Sequence, residues 1–357
     1  MSQLKFSLLT QIDDANAVGI EAGYGFVYKV NHITGQARYV GCFEGDNIES
    51  HSLVSKGCVF DKSIFWAPNT ARYLWSMDLD SELFRSYQLP DAIANKKFFY
   101  NVISYGGCLY FFSRKGLDTL KFDPRTETFS IIKDERYSNI NFKAGFRIDG
   151  IYYACVQDGN LFFEFDLENE QYIAHELPKE FRGASCPCLF AKQIWVAPRY
   201  QGDPFLIWNI DDGDYKLIDN PFEKDKKDDR ISYVYCKCSN NKIIAISVRN
   251  DKSVIIDPMK KEFSCFNGLV ISDDQKLGIY GILNSSIILG VSDKNKTYYY
   301  DEVTLYKLDF HNNTIKEFSF FDEDTTLTDR KIMKCFEKND FIVENKRVGL
   351  SAFLNYL

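Results

Sequence analysis

Arginine and tyrosine recur in short polar segments that separate the apolar stretches of this sequence. The segments read "APNTARY", "FSRKG", "APRYQGD", "VRNDK" and "ENKRV". Arginine forms paired hydrogen bonds with carboxylate, phosphate or sulfate groups, and a tyrosine ring beside it adds a flat contact surface. The pattern therefore predicts a surface that binds an acidic ligand. The candidate ligand-binding residues are Arg72, Tyr73, Arg114, Arg199, Tyr200, Arg249 and Arg347.

Acidic connections give these arginines a second interpretation. The segments "EGDNIES", "EKDKKDDR" and "FDEDTTLTDR" carry carboxylates that could pair with the same guanidinium groups. In that case the charges are solvated or internally paired, and they bind no ligand. The sequence leaves both interpretations open.

Groups suited to catalysis are few. The sequence has four histidines, and of these only His51 precedes a repeat close to the arginine-bearing segments. There, His51 or a tyrosine such as Tyr200 could transfer a proton. No glycine-rich phosphate loop or histidine–carboxylate metal motif occurs. The catalytic residues are unknown, and whether the chain is an enzyme stays open; the enzymatic alternative is a lyase or hydrolase acting on acidic sugars.

An internal repeat supplies the elements that must position these residues. Stretches such as "LKFD" and "VIID" recur at intervals of roughly 43–52 residues. In the clearest repeat, "FFYNVISY", "GCLYFFS", "LDTLKFD" and "TFSIIK" read as four alternating strands. The repeat predicts an all-β chain that forms a single β-propeller of four-stranded blades, each of about 46 residues. The residues that end the third strands, and should begin tight turns, are Asn31, Asp78, Asp123, Asp166, Asn209, Asp257 and Asp309.

The number of blades depends on how the chain ends are interpreted. An eighth match at Asn355, in "SAFLNYL", favours eight blades, and seven is the alternative. We expect N- and C-terminal strands to close the ring, with residues 4–10 and 350–357 close together. The segment "LKFSLLTQI" resembles an outer strand but also falls where the first inner strand belongs, so its role stays open. The expected domain organisation is one domain over residues 1–357.

The repeat resembles that of β-propeller proteins of the kelch and NHL type. The double glycine of kelch repeats appears clearly once, at Gly106-Gly107, and the Trp-Asp signature of WD40 blades is absent. The resemblance covers nearly the whole chain and implies the architecture alone. Propellers have many functions, so no family's functional residues are carried over.

Two C-x-C pairs, in "SCPCLF" and "VYCKCS", contain the residue types of a four-thiolate metal site. Cys188 and Cys236 each lie 21 residues before the end of the third strand in their repeats. Equivalent positions in neighbouring blades should point in the same sense around the ring, so the two pairs should enter different interfaces. The sequence therefore predicts no metal site and no cofactor.

Composition and charge limit the partners. The chain has 357 residues, 45% of them hydrophobic, and a net charge of −7, which argues against binding nucleic acid or an anionic membrane. It has no apolar run of about 18 residues and no signal peptide. Ten cysteines without an export signal indicate reduced thiols in the cytoplasm. We expect a cytoplasmic monomer whose partner is an acidic small molecule, a glycan or a protein.

Overall fold

The chain forms an all-β, seven-bladed β-propeller in the computed structural model. The structure describes residues 3–4, 6–21, 25–46, 53–94, 99–222, 231–247, 253–266, 275–284, 286–293, 303–309, 312 and 314–323. Helical structure in these residues is limited to α1 (Asp91–Ala94) and a 3-10 turn (Glu135–Tyr137). No helix among them is long and apolar enough to span a membrane.

Each blade is one sheet, and in blades 2 to 7 the four strands are hydrogen-bonded in chain order. Blade 1 contains β1 (Gln3–Leu4), β2 (Phe6–Gln11), β3 (Asn16–Glu21), β4 (Val27–Asn31) and β5 (Gln36–Gly41). Blade 2 contains β6 (Val54–Phe60), β7 (Ser63–Pro68), β8 (Tyr73–Asp78) and β9 (Phe84–Gln88). Blade 3 contains β10 (Phe99–Tyr105), β11 (Cys108–Ser113), β12 (Thr119–Asp123) and β13 (Thr128–Ile132). Blade 4 contains β14 (Phe142–Ile148), β15 (Ile151–Val156), β16 (Leu161–Asp166) and β17 (Gln171–Glu176).

The last three blades follow the same plan. Blade 5 contains β18 (Ala184–Phe190), β19 (Gln193–Pro198), β20 (Phe205–Asn209) and β21 (Tyr215–Ile218). Blade 6 contains β22 (Tyr233–Ser239), β23 (Lys242–Ser247), β24 (Val254–Asp257) and β25 (Glu262–Cys265). Blade 7 contains β26 (Gln275–Ile282), β27 (Ser286–Asp293), β28 (Thr304–Asp309) and β29 (Thr314–Phe318), and it is followed by β30 (Phe320–Asp322).

Burial explains the sequence of the second strands. In β7 and β19 every residue after the first is buried, so both faces of each strand are covered. Both strands therefore read as continuous apolar runs, "IFWAP" and "IWVAP", rather than as alternating patterns. Trp66 and Trp195 are completely buried in their strands and serve packing. The outer strands, such as β17, retain exposed residues at alternate positions.

Strands from both ends of the described chain complete blade 1. Its sheet has the order β1-β30-β5-β4-β3-β2. β30 runs parallel to β5, with Phe321 opposite Gln36, and β1 pairs antiparallel with β30. The N-terminal segment therefore has both roles that the sequence left open: β2 is the inner strand of blade 1, and β1 lies at its outer edge.

The favoured prediction of eight blades is wrong, and the seven-bladed alternative is confirmed. After β29, the chain enters the sheet of blade 1 as β30 rather than starting a further four-stranded sheet. The eighth sequence match, at Asn355, and residues 350–357 lie outside the described part of the chain. The strands observed at the closure are 3–4 and 320–322.

The aspartates and asparagines that end the third strands have the predicted turn geometry. In blade 2, Asp78 Oδ1 accepts hydrogen bonds from the backbone N–H groups of Asp80 and Ser81. These bonds lower the pKa of Asp78, because they stabilise the carboxylate. A backbone N–H two or three residues ahead donates a similar bond to the side-chain oxygen of Asn31, Asp123, Asp166, Asn209, Asp257 and Asp309.

The fourth residue after each aligned turn residue adopts a left-handed conformation in blades 1 to 6. Two of the six positions are glycine, which accepts a positive φ without a steric cost. The other four carry side chains that do not favour this conformation. In order, the residues and their φ angles are Gly35 (84°), Glu82 (61°), Glu127 (55°), Glu170 (55°), Gly213 (70°) and Lys261 (58°).

Two of these glutamates join a blade to the one before it. Glu82 of blade 2 forms an ion pair of 2.8 Å with Lys29, in the third strand of blade 1. Glu170 of blade 4 forms the equivalent pair of 2.5 Å with Lys121 of blade 3. Hydrogen bonds from Arg38 and Lys29 lower the pKa of Glu82 to about 2. At these two positions the strained glutamate therefore contributes an ion pair between neighbouring blades.

Glu127 occupies the same strained position but is exposed, and its carboxylate pairs with no described residue. We expect Glu127→Gly to raise the free energy of unfolding by about 0.5–1 kcal/mol, because glycine removes the strain. The matched change Glu170→Gly should raise the free energy of unfolding by less, because it also removes the ion pair with Lys121. Urea unfolding measures both variants. Equal gains would show that the Lys121–Glu170 pair adds no stability.

The described residues divide into two compact units. The first contains blades 1 and 2, β30 and residues 280–284. Its core centres on Trp66, Trp75 and Phe43. The second contains blades 3 to 6 and the rest of blade 7. Within it, apolar clusters fill the interfaces between successive blades, for example around Phe112 and Tyr152 of blades 3 and 4.

Candidate functional site

Backbone hydrogen bonds fix the connections that follow the second strands of blades 3 and 5. Arg114 follows β11 directly, and its carbonyl accepts a 2.8 Å bond from the N–H of Phe142, which begins blade 4. Arg199 follows β19 in the same way, and its carbonyl accepts a 2.7 Å bond from the N–H of Ser232, just before blade 6. Each arginine therefore sits on a segment that is tied to the next blade.

Two guanidinium groups lie close to the Tyr200 ring. Arg182 is 5.0 Å and Arg199 is 5.7 Å from the centre of its ring. The Tyr200 hydroxyl donates a hydrogen bond to Asp158 Oδ1, and Arg199 Nε lies 3.0 Å from the same oxygen. The bond to the Asp158 carboxylate raises the pKa of Tyr200, because it stabilises the neutral phenol.

Arg182 makes a second ion pair in this cluster. Its Nε lies 3.0 and 3.1 Å from the two carboxylate oxygens of Asp203, and its Nη2 lies 2.9 Å from Oδ1. Asp203 is buried, with 1% of its surface exposed. The Arg182 carbonyl also accepts a 2.6 Å bond from the N–H of Gly159. Arg182, Asp158 and Asp203 thus hold the connections of blades 4 and 5 together.

Gly183 lets these connections approach closely. A Cβ atom at this position would lie 2.3 Å from the carbonyl oxygen of Gln157. The Gly183 carbonyl accepts a 2.9 Å hydrogen bond from the N–H of Arg199. The close backbone contact brings Asp158, next to Gln157, into reach of Arg199 and Tyr200.

Arg114 and Lys115 have exposed side chains that form no ion pair with any described residue. Their backbones are nevertheless held. Ser113 Oγ accepts a bond from the Lys115 N–H, and Lys115 forms a β-bridge with Asn141. These two cations remain available to an anion, whereas Arg182 and Arg199 already have carboxylate partners.

The structure brings only some of the predicted site residues together. Arg199 and Tyr200 are in contact, and Arg114 occupies the equivalent connection two blades earlier. Arg72 and Tyr73 belong to the other compact unit. There, Asp46 of "EGDNIES" accepts two 3.0 Å bonds from the backbone N–H of Arg72 rather than pairing with its guanidinium group. Arg249, Arg347 and His51 lie outside the described residues.

Sequence reasoning missed Arg182, Asp158 and Asp203. Arg182 lies in the connection from blade 4 to blade 5, whereas the predicted arginines lie in connections within blades. The two aspartates occur in "VQDGN" and "APRYQGD", the same kind of connection as the predicted arginines. A search for acidic residues in those connections would have found both.

The expected separation of the two cysteine pairs is wrong. Cys188 Sγ and Cys236 Sγ are 3.4 Å apart, and Cys186 and Cys238 pack against the same cluster. Cys188 pairs with Trp195, two residues beyond the start of β19, but Cys236 pairs with Ala245, three residues beyond the start of β23. This one-residue offset turns the cysteines of the two strands toward each other.

Converging thiols do not by themselves make a metal site. No group of three or more described cysteine, histidine or acidic residues is arranged to hold a metal ion. Eight described cysteines form no disulfide, and Cys42 is disulfide-bonded. The expectation of reduced thiols therefore does not hold at Cys42.

Comparison with known proteins supports the fold alone. No protein-family model matches the chain, and neither does any curated protein. Among solved structures, YCF48 from Cyanidioschyzon merolae aligns over 87% of this chain and 97% of its own, with a TM-score of 0.63 and 12% identity. A catalytically inactive virginiamycin B lyase from Staphylococcus aureus, solved with quinupristin, aligns over 81% and 92%, with a TM-score of 0.60 and 10% identity. A streptogramin B lyase aligns over 76% and 84%, with a TM-score of 0.55 and 12% identity.

Proposed function

We propose that the chain is a cytoplasmic binding module that takes an acidic ligand or partner protein on the connections of blades 3 to 5. The observation that carries this proposal is the pair of exposed cations, Arg114 and Lys115, on a segment held by backbone hydrogen bonds. Cations on a fixed backbone bind an anion at a smaller entropic cost than cations on a mobile loop.

The charged residues of this surface have two roles: some fix the connections, and others recognise the ligand. Arg182 and Arg199 hold Asp203 and Asp158 and so fix the connections. Arg114 and Lys115 supply the positive charge that recognises the ligand. These two cations suit a ligand that carries a carboxylate, phosphate or sulfate.

Substitution of Arg114 tests the proposal. We expect Arg114→Ala to weaken binding of an acidic ligand by about tenfold or more, because it removes a charge-assisted hydrogen bond. Calorimetry with uronates, sulfated sugars, nucleotides and acidic peptides identifies the ligand class. The affinity of each variant is then measured for the compound that binds the wild-type protein. Affinity should also fall as salt rises.

Arg125→Ala is the matched control, because it removes the same charge from an exposed turn of the same blade, where Arg125 pairs with Asp123 at 3.7 Å. The control should leave affinity unchanged. Equal losses in both variants would show that only net charge matters, and binding of none of the probes would contradict the proposal. Arg199→Ala is a less selective test, because it also deprives Asp158 of its partner.

A second candidate function is a lyase or hydrolase acting on acidic sugars. It is favoured by the Tyr200 hydroxyl, which bonds to the Asp158 carboxylate, and by the two guanidinium groups close to the Tyr200 ring. The raised pKa of Tyr200 suits a proton donor better than a base. Incubation with polyuronates, followed by analysis of chain length, tests this candidate. Product formation that is lost in Tyr200→Phe would support it, and intact polymer would exclude these substrates.

A further inference from the structure

Two thiols meet between the inner strands of blades 5 and 6. Cys188 lies in β18 and Cys236 in β22, and their sulfur atoms are 3.4 Å apart. Both side chains are buried in an apolar cluster with Trp195 and Tyr233. A disulfide requires the sulfurs to approach to about 2.05 Å, which is about 1.4 Å closer than they lie here.

We propose that Cys188 and Cys236 form a disulfide on exposure to peroxide, which links blade 5 covalently to blade 6. In the first step, one thiolate attacks an oxygen of hydrogen peroxide, which breaks the O–O bond and gives a sulfenic acid and, after protonation, one water. In the second step, the other sulfur attacks the sulfenic sulfur and expels a second water. The two thiols lose two protons and two electrons in total, and the peroxide is reduced to two waters.

The burial of both thiols limits which oxidants can reach them. Cys188 is 8% and Cys236 is 2% exposed, so a small neutral peroxide fits this site better than a bulky disulfide such as oxidised glutathione. Burial also raises the pKa of the Cys188 thiol, because the thiolate would lose its hydration. The reaction should therefore be slower than oxidation of exposed Cys265.

Peptide mapping of the wild-type protein tests the proposal directly. Trypsin cleaves after Lys237 and so separates Cys236 from Cys238, giving peptide 231–237 with a single cysteine. After peroxide treatment without reductant, we expect this peptide to be joined to peptide 183–192, with a loss of two hydrogens, and to be released by dithiothreitol. Because Cys186 and Cys188 share peptide 183–192, the Cys186→Ser variant assigns the bond and should retain it.

Stability gives a second readout. The bond would close a segment of 48 residues, and the loss of unfolded-chain entropy should raise the thermal midpoint by about 5 °C. Peroxide should not raise the midpoint of Cys188→Ser or Cys236→Ser, whereas it should raise that of the control Cys265→Ser. The proposal is overturned if the linked peptide is still absent long after Cys265 has been completely oxidised, or if the Cys186→Ser variant loses the link.

Discussion

Phe320→Ala is expected to lower the free energy of unfolding by about 3–5 kcal/mol, because it removes a completely packed ring from the closure of blade 1. Phe320 is 1% exposed and lies edge-on to Phe6, with ring centres 5.0 Å apart. It is also the first residue of β30, the strand that joins the outer edge of blade 1. Urea unfolding followed by tryptophan fluorescence measures the loss.

Phe222→Ala provides the matched control, since Phe222 is 43% exposed and its truncation should cost well below 1 kcal/mol. Phe6→Ala should be as costly as Phe320→Ala. The double variant should lose less than the sum of the two single losses, because both remove the same ring contact. A loss at Phe320 no larger than at Phe222 would contradict the observed closure.

Gly183→Ala is expected to cost about 1–3 kcal/mol and to weaken ligand binding as well. The added methyl group would meet the Gln157 carbonyl oxygen at 2.3 Å, and this backbone atom cannot rotate away as a side chain would. Relief of the clash must move the connections of blades 4 and 5 apart and disturb the Arg199–Asp158 pair. Denaturant unfolding and titration with the ligand identified for the wild type measure both effects.

Gly150→Ala is the corresponding control in blade 4. Its new methyl group would lie 3.2 Å from the Tyr105 hydroxyl, the end of a side chain that can move. We expect a smaller loss of stability and unchanged binding. If Gly183→Ala left both stability and affinity intact, the close approach of the two connections would have no part in organising the site.

Local chemistry made the blade pattern predictable. An aspartate such as Asp78 needs only the backbone amides two and three residues ahead to begin its turn, so the sequence contains all the information. Blade number depends on distant contacts instead. The pairing of Phe321 with Gln36 joins opposite ends of the described chain, and a local repeat pattern does not contain it.

The candidate site was predictable in the same limited way. Arg114 and Arg199 stood out because polar connections interrupt apolar strands, which is a local feature. Asp158 and Asp203 lie in the same kind of connection, but their pairing with Arg199 and Arg182 depends on contacts between segments that are distant in the sequence, such as the close approach at Gly183. The prediction for the cysteines was wrong because the strand registers of blades 5 and 6 differ. The repeats were aligned on the third strand, but the connection after the second strand is one residue longer in blade 5 than in blade 6.

The parallel pairing of β30 with β5 has a consequence for the protein during its synthesis. The edge of β5 at Gln36 emerges about 280 residues before Phe321, which at bacterial or eukaryotic translation speeds is a delay of about 15–60 s. Throughout that interval the backbone groups of this edge lack their final partner, and an open edge pairs readily with strands of other chains. The nascent polypeptide should therefore depend most on chaperones while the edge of β5 has not yet paired with β30. Slow translation lengthens this interval and should lower the soluble yield.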